Sequence, residues 1–287
     1  MVAKPIDSHN VTITRMSRKE VDIAIDWALQ EGWNPGLNDA ECFYRADPEG
    51  FFAAKVNGEL VGTVSMVRYS KDYAFGGFYI VRPDMRRMGI GAVLMSFFQD
   101  LSRGFNVGID GVLEMQQTYA RHGFLFAHKN IRYGGIAKGA FPDRCTAICE
   151  EDFNGVVAFD ARQFSTPRPE FLSRWLFQKN ARALMIKADC GGGPCGYGVI
   201  RKCFRGHKVG PLFANSPDVA EDILQGLISS APGEEVYLDV PEPNGSAIAL
   251  AQMHGMRPVF ATARMYTRRV LDLPLGDIYG ITSFELG

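Results

Sequence analysis

Two arginines and two glycines form the part of this sequence that is best suited to bind a ligand. The chain reads Arg86-Arg87-Met88-Gly89-Ile90-Gly91 there, after an apolar stretch that breaks at a proline. Glycine lets a backbone approach a ligand closely, and the first N–H groups of a helix are unpaired and carry the positive end of its dipole. Because two guanidinium groups add formal charge, this basic loop favours the binding of a phosphate group.

A strand and a helix are predicted to hold the basic loop between them. Residues 78–81 are apolar and predict a strand, and the residues after the loop are apolar at helical spacing. The stripe on that helix consists of Ile90, Val93, Leu94, Phe97, Phe98 and Leu101. Neither the Walker pattern nor the dinucleotide fingerprint occurs at this turn. A glycine-rich connection with solvated arginines is the alternative interpretation of the loop taken alone.

A tyrosine near the end of a predicted helix is the second group with a possible chemical role. The chain reads Tyr119-Ala-Arg-His-Gly-Phe124 where a helix over residues 113–121 is predicted to end. A phenol with a pKa near ~10 can give a proton to a departing thiolate. The alternative role for Tyr119 is the packing of its ring on the helix face.

Both elements resemble motifs of the GCN5-related N-acetyltransferase (GNAT) superfamily. The family's pyrophosphate loop has the pattern Arg/Gln-x-x-Gly-x-Gly/Ala, which Arg86, Gly89 and Gly91 meet, with a Val-x-Pro lead-in at residues 81–83. Its Tyr-x-x-x-Gly-Phe element is met by residues 119–124. The predicted element order of the first 137 residues, β-α-α-β-β-β-α-β-α-β, is also that of the family's fold.

The resemblance implies acetyl-CoA as the cosubstrate and roles for several residues. The N–H groups implied to bind the pyrophosphate are those of Met88, Gly89, Ile90, Gly91 and Ala92. Arg86 and Arg87 would contact the phosphates, and Val81 would pair its backbone with the pantetheine arm as an added strand does. Tyr119 would be the general acid that protonates the leaving sulfur.

Some positions depart from the family's pattern. Arg87 stands where the family often has a glycine, and Val112 occupies the expected place of an asparagine that contacts the cofactor. The strand before the loop carries no glutamate that would act as a base. Asp110 and Glu114 are the nearest acids in sequence and either would act through water, although a helix cap is the preferred role for Asp110. The base is therefore left unassigned.

A turn with an aromatic residue follows the first predicted helix. Trp33 and Asn34 in the sequence Trp33-Asn-Pro-Gly36 are predicted to bind the acceptor, while a tryptophan that covers the edge of the core is the alternative. No charge cluster dictates a peptide, an aminoglycoside or a polyamine. Trp33 and the other aromatic residues near the expected acceptor side favour a small amine with an apolar body as the acceptor.

Composition narrows the classes of function. The chain has 287 residues, enough for two domains, with 46% hydrophobic and 22% charged residues and a formal net charge of -1. A nucleic-acid partner is not expected without a basic excess, and no apolar run predicts a membrane span or a signal peptide. Six cysteines without a C-x-x-C pair favour free thiols in the cytoplasm. Cys190 and Cys195 lack a second pair with zinc spacing, so no metal is expected.

The second half is predicted to repeat the fold of the first half without its chemistry. Ala251 stands in register with Tyr119, and the helix that corresponds to the loop helix begins at Ser216-Pro217. Acidic residues at positions 218, 221 and 222 would repel an anion at that helix. A strand over residues 259–267 is predicted to be the last one.

The predicted fold is α/β, with two tandem GNAT-like domains, each a mixed, mostly antiparallel sheet flanked by helices. Residues 1–137 would form the catalytic domain, residues 138–143 a linker, and residues 144–287 a degenerate domain. The predicted activity is the transfer of an acetyl group from acetyl-CoA to a primary amine of a small molecule by direct attack. A non-catalytic acyl-CoA-binding sensor or scaffold is the alternative. No membrane partner is expected, and the internal pseudo-dimer is compatible with a monomer or a homodimer.

Overall fold

The computed structural model of the protein describes residues 10–188 and 192–287. The first half has the predicted order β-α-α-β-β-β-α-β-α-β, the second half repeats it, and one short strand follows in the second half. The first half contains β1 (Val11–Arg15), α1 (Arg18–Gln30), α2 (Asp39–Ala46), β2 (Phe51–Val56), β3 (Glu59–Arg68), β4 (Tyr73–Val81), α3 (Ile90–Leu101), β5 (Asn106–Val112), α4 (Gln116–Arg121) and β6 (Leu125–Ile136). The second half contains β7 (Thr146–Ala147), α5 (Phe153–Phe164), α6 (Pro169–Trp175), β8 (Ala181–Lys187), β9 (Pro194–Lys202), β10 (His207–Ala214), α7 (Pro217–Ile228), β11 (Glu235–Pro241), α8 (Gly245–Met253), β12 (Arg257–Tyr266) and β13 (Ile278–Gly280).

Local sequence signals account for the start of the first half. Ser17 caps α1 and Glu20 returns the hydrogen bond, so a capping box starts this helix. Asn57 and Gly58 join β2 to β3 with φ angles of 51° and 83°, the left-handed conformation that a two-residue hairpin needs. These signals fix where α1 begins and in which register β2 pairs with β3.

The two halves exchange strands β6 and β12. β12 lies between β5 and β6, and β6 lies between β12 and β11, so a strand from each half completes the sheet of the other half. The strands therefore form one continuous sheet in the order β1-β2-β3-β4-β5-β12-β6-β11-β10-β9-β8-β7, with β13 beside β10. The prediction that β12 is the last strand was wrong, because β13 follows it.

Buried ion pairs lie on the exchanged strands. Arg264 of β12 faces Asp110 of β5 and donates two hydrogen bonds to it, of 3.0 and 2.6 Å. Arg132 of β6 faces Asp239 of β11 in the same way, at 2.7 and 2.9 Å. These four side chains are at most 5% exposed. Since a buried charge without its partner is strongly destabilising, the pairs hold the exchanged strands in register.

An apolar core also joins the halves. Side chains of α1, α2 and β4 pack there on side chains of α5, α6, β9 and β10. Phe43 lies between Phe78 and Trp175, with a ring-centroid distance of 5.9 Å to each. The halves are therefore packed against each other over a buried layer, and the first half does not present this face to solvent.

Within the described parts of the chain, no helix has the length and apolar character that crossing a membrane requires. The same parts contain no group of three or more His, Cys, Asp or Glu side chains arranged to hold a metal ion. Cys190, which was considered together with Cys195 as a possible zinc-binding pair, lies outside the described residues.

Residues 1–137 produced alone are expected not to form a stable monomer. Without β12, the edge of β5 has no partner and Asp110 loses Arg264. Co-production with residues 138–287 should restore a 1:1 complex, which size-exclusion chromatography and far-UV circular dichroism would detect. A monomeric 1–137 fragment that unfolds cooperatively would show instead that β6 folds back on β5 and that the exchange is dispensable.

Candidate active site

A cavity of about 550 Å³ opens where β4 and β5 separate, beside the start of α3. This volume lies within the range of small-molecule sites, which are mostly apolar and carry a few well-placed polar groups. The polar and charged side chains on its lining belong to Glu31, Tyr79, Arg86, Arg87, Asp110, Tyr119, Thr262 and Glu285. The cavity thus contains the groups that the sequence singled out, together with groups that it did not.

A bulge in β4 creates the opening. β4 pairs with β5 in parallel only as far as Gly76. Just beyond, Phe78 has a φ of 48°, unusual for a bulky residue, and the register with β3 shifts. The Thr63 hydroxyl donates a hydrogen bond of 2.7 Å to the Phe78 carbonyl and holds the bulge. Residues 77–81, which include Val81, therefore form a strand edge that β5 does not pair.

The basic loop has the backbone form of an anion site. Arg87 and Gly89 have φ angles of 65° and 91°, and Gly89 precedes α3 without a side-chain cap. Across the residues that the structure describes, no N–H group of residues 87–92 donates a hydrogen bond. These groups lie at the positive end of the α3 dipole. The arrangement fits the pyrophosphate of a coenzyme A ester.

The predicted loop residues divide into cavity, surface and core positions. Arg86, Arg87 and Gly91 line the cavity, whereas Ile90 is 1% exposed and belongs to the core beneath it. Ile90 therefore has only its N–H group available for a ligand. The remaining predicted loop residues lie at the surface, outside the cavity lining, and are at least partly exposed. They are Met88, Gly89 and Ala92.

The two arginines of the loop are in different situations. The Nε of Arg86 donates a hydrogen bond of 2.9 Å to the Val81 carbonyl, and its guanidinium forms an ion pair with Glu31. Arg87 forms no salt bridge with any residue in the described ranges. Arg87 is thus ready to contact an anion, whereas an anion that reaches Arg86 has to compete with the Glu31 carboxylate.

Tyr119 reaches the cavity from α4, and close packing fixes its ring. The ring lies edge-on to Phe124 and Tyr79, with centroid distances of 5.8 and 6.5 Å. A Cβ at Gly111 would come within 2.4 Å of this ring, so a side chain there would displace it. Burial raises the pKa of Tyr119, and the neighbouring Tyr79 adds to the effect. The phenol therefore keeps its proton at neutral pH, as a general acid must.

The structure separates the two residues that were predicted to bind the acceptor. Trp33 lines the cavity, and its carbonyl accepts hydrogen bonds from Arg132 at 2.8 Å and from Lys208 at 3.3 Å. Asn34 instead borders a neighbouring cavity, where its amide exchanges two hydrogen bonds, of 2.8 and 2.9 Å, with the backbone of Arg205. Asn34 thus joins the two halves and does not face the main cavity.

Neither of the two acids nearest in sequence offers an unbound carboxylate to the cavity. Asp110 does not cap a helix, as was predicted, but lies in β5 with its carboxylate bound by Arg264 and by the Asn130 amide, at 2.7 Å from the latter. That prediction was wrong because a facing buried guanidinium binds a carboxylate more strongly than a helix N–H group does. Glu114 is exposed and lies outside the lining.

The second half supplies part of the cavity wall from residues that are distant in sequence. Phe260 and Thr262 lie there because β12 is exchanged, and Phe284 and Glu285 come from the chain after β13. No spacing in the sequence connects these residues with the basic loop, so sequence reasoning missed them. They complete the cavity on the side that faces Trp33.

The corresponding opening of the second half is filled by the chain itself. β10 and β11 pair in parallel at their starts, and β13 then pairs with β10 at Leu212 and Phe213. The Ile281 N–H group donates a hydrogen bond of 2.9 Å to the Asp239 carbonyl of β11. As predicted, Ser216 caps α7, the helix that corresponds to α3 of the first half. This half therefore leaves no strand edge open at the position that corresponds to the cavity of the first half.

Comparison with known proteins now identifies the family. Residues 19–124 match the model of the acetyltransferase (GNAT) family, and residues 156–280 match a model of an acetyltransferase (GNAT) domain. The holothin acyltransferase of Pseudoalteromonas sp. (strain SANK 73390) is 31% identical over 275 residues, which are 94% of this chain and 92% of the relative. The chain belongs to the GNAT acyltransferase family.

Solved structures show the same tandem fold as this GNAT acyltransferase. A proposed acetyltransferase of Pyrococcus horikoshii has a TM-score of 0.82 at 20% identity, over 100% of this chain and 99% of that one. A tandem GNAT protein from the clavulanic acid biosynthesis pathway has a TM-score of 0.63 at 16% identity, over 89% of this chain and 98% of that one. The predicted fold class and tandem arrangement are confirmed.

In this GNAT acyltransferase, Glu31→Gln is expected to tighten the binding of coenzyme A by about two- to five-fold. The change frees Arg86 from a partly exposed ion pair, which is worth up to ~1 kcal/mol, and removes a negative charge from the cavity. Calorimetric titration measures the effect. Glu41→Gln, in an exposed ion pair with Arg45 outside the cavity, is the matched control and should change nothing. Weaker binding by Glu31→Gln would show that Glu31 positions Arg86 for the ligand.

Proposed function

We propose that this enzyme transfers the acetyl group of acetyl-CoA to a primary amine of a small molecule by direct attack in the cavity of the first half. One observation carries the proposal. The basic loop through Arg86, Arg87 and Gly91, the unpaired edge of β4 and Tyr119 all line one cavity. A phosphate site, a strand edge and a proton donor are the parts that a coenzyme A thioester requires.

Different residues of the chain bind the phosphates, orient the extended arm and supply the proton. Acetyl-CoA, when bound, supplies a thioester whose carbonyl carbon is open to attack by an amine. The N–H groups of residues 87–92 and the Arg87 guanidinium bind the phosphates, and the edge of residues 77–81 orients the extended arm as an added strand does. The Tyr119 hydroxyl gives its proton to the sulfur as that atom departs. The apolar walls exclude water that would compete with the amine.

The lining of the cavity favours a small acceptor. Trp33, Phe260 and Phe284 contribute aromatic side chains to it, which suits an amine with an apolar body. The Pseudoalteromonas relative is named for acyl transfer to holothin, so holothin is the first acceptor to test.

The proposal includes a cytoplasmic enzyme that works without a metal, nucleic acid or membrane, as a monomer or a homodimer. Buried free thiols at Cys42, Cys145 and Cys203 support a reducing compartment. The packing of the two halves against each other supports a self-contained monomer, although the same fold also permits a homodimer.

Gly89→Asp is expected to abolish the binding of acetyl-CoA, because it places a carboxylate among the free N–H groups. Calorimetry would measure one site per chain for the unmodified protein, since β13 fills the second opening, and no heat of binding for the variant. Gly89→Asn is the matched control, because asparagine has the same size and also tolerates a φ of 91°. It should keep most of the affinity. Two sites per chain, or full binding by the aspartate variant, would contradict the assignment.

Tyr119→Phe is expected to lower kcat by about 10²-fold or more, with little change in the affinity for acetyl-CoA. The ring contacts with Phe124 and Tyr79 remain, and only the proton donor is lost. Tyr79→Phe is the comparison variant, because its hydroxyl already donates to the Gly91 carbonyl at 2.7 Å. Its kcat should fall by less than about ten-fold. Full turnover by Tyr119→Phe would remove this residue from the mechanism.

Release of free thiol from acetyl-CoA in the presence of a panel of primary amines, with holothin included, separates the enzyme from the alternative of a sensor or scaffold. An acyltransferase releases thiol and forms an amide with at least one amine. A protein that binds acetyl-CoA at one site and acetylates no amine of the panel would be the sensor.

A further inference from the structure

The carboxylate of Glu285 is buried and has no hydrogen-bond partner. The residue is 1% exposed, and neither of its side-chain oxygens accepts a hydrogen bond from the residues that the structure describes. Glu285 is also one of the residues that line the cavity that contains Tyr119. A buried polar group without a partner costs free energy, and a ligand that completes its hydrogen bonds is one physical reason for such a group to persist.

The backbone around Glu285 is fixed on both sides. A Cβ at Gly77 would come within 2.3 Å of the Glu285 carbonyl oxygen, so β4 and this segment are in close contact. The Tyr69 hydroxyl donates a hydrogen bond of 3.0 Å to the Leu286 carbonyl, and the Leu286 N–H group donates one of 3.1 Å to the Ser283 hydroxyl. The backbone of Glu285 is therefore held next to the bulge of β4, where the strand itself carries no acid.

The buried cations near Glu285 do not use its oxygens. Arg132, Arg201 and Lys208 all lie close enough to interact with its charge. Arg132 is already bound by an aspartate at 2.7 and 2.9 Å, and Arg201 by another at 2.9 and 3.3 Å. Lys208 donates to the Trp33 carbonyl. In the described structure, these cations therefore leave both Glu285 oxygens without a hydrogen-bond partner.

The other acids of the cavity are already engaged. The carboxylate of Asp110 is bound by Arg264, and that of Glu31 by Arg86. Glu285 is thus the carboxylate on the lining whose oxygens remain without a partner in the described structure.

We propose that Glu285 is the catalytic residue that binds the ammonium group of the acceptor and removes a proton from it. This inference rests on the proposed amine acetylation and names the base of that reaction. The residue comes from the second half of the chain, so the site of the first half is incomplete without the second half.

The proton and electron balance of the step is complete. One ammonium proton moves to a Glu285 oxygen and later to solvent, and the freed lone pair forms the C–N bond at the thioester carbonyl carbon. The C–S bond breaks, its electron pair stays on sulfur, and Tyr119 gives that sulfur its proton. The nitrogen then loses a second proton, which replaces the proton that Tyr119 gave to the sulfur. The products are an amide, a thiol and one proton in solvent.

Glu285→Gln in the full chain tests the proposal with acetyl-CoA and two acceptors, benzylamine and aniline. Benzylamine is cationic at neutral pH and has to lose a proton before it attacks, whereas aniline is already neutral. The rate with benzylamine should fall by about 10²- to 10³-fold, and the rate with aniline by less than about ten-fold. A role in structure alone would lower both rates equally. Glu285→Asp, which keeps a carboxylate, should recover part of the benzylamine rate.

Glu170→Gln is the matched control, because it makes the same chemical change at an exposed position of α6 outside the cavity. Its rates with both acceptors should equal those of the unmodified protein. Equal rates with benzylamine for Glu285→Gln and the unmodified protein, or equal losses with both acceptors, would overturn the proposal.

A binding measurement decides the question without turnover. Calorimetry of the complex with coenzyme A should show that Glu285→Gln weakens benzylamine binding by about ten-fold or more, while the binding of benzyl alcohol is unchanged. Equal losses for the amine and the alcohol, or no binding of benzylamine to the unmodified protein, would contradict the role of Glu285. Acetyl-CoA binding without acetylation of any amine would instead refute the proposed function, and the calorimetric comparison would still decide whether Glu285 binds an ammonium group.

Discussion

The structure depends on the pairing of β12 with β5 and of β6 with β11, because this exchange makes one sheet out of two. Arg264 and Asp110 fix one of these pairings, and Arg132 and Asp239 fix the other. Arg132 also lies over the Phe284 ring, with its guanidinium carbon 4.6 Å from the ring centroid. The charges that hold the exchanged strands therefore also support the wall of the cavity, so the fold of one half and the site of the other are coupled.

The same fold occurs twice, and one short stretch of chain makes the two copies different. In the first half, β4 and β5 separate after a bulge and leave a strand edge open to a ligand. In the second half, β13 occupies the corresponding place beside β10. The chain then continues from β13 to Glu285 on the wall of the open cavity. Residues 278–287 thus fill the opening of the second half and complete the cavity of the first half. Through these residues the second half contributes to the site of the first half although its own opening is filled.

Short-range signals in the sequence predicted much of this structure. The capping box at Ser17 and the turn at Asn57 depend on neighbouring residues, and both are present. The exchange of β12 depends on which distant strand it pairs with, and its alternating pattern carries no information about that partner. Helix α5 was missed because Asp160 and Gln163 interrupt its apolar face, although both are buried there. The basic loop and Tyr119 were found because their chemistry follows from local spacing, whereas Glu285 has no such spacing to either.

The position of Glu285 also explains how the site operates without an acid on β4. A carboxylate on β4 would depend on the ligand alone for its hydrogen bonds. Its orientation would depend on the bulge at Phe78. The segment that carries Glu285 is instead held on both sides, because the Glu285 backbone packs against Gly77 and the Leu286 carbonyl accepts a hydrogen bond from Tyr69. Preorganised charge of this kind needs little rearrangement when the acceptor arrives. Because Glu285 belongs to the second half, the packing between the halves also determines whether this carboxylate reaches the site of the first half.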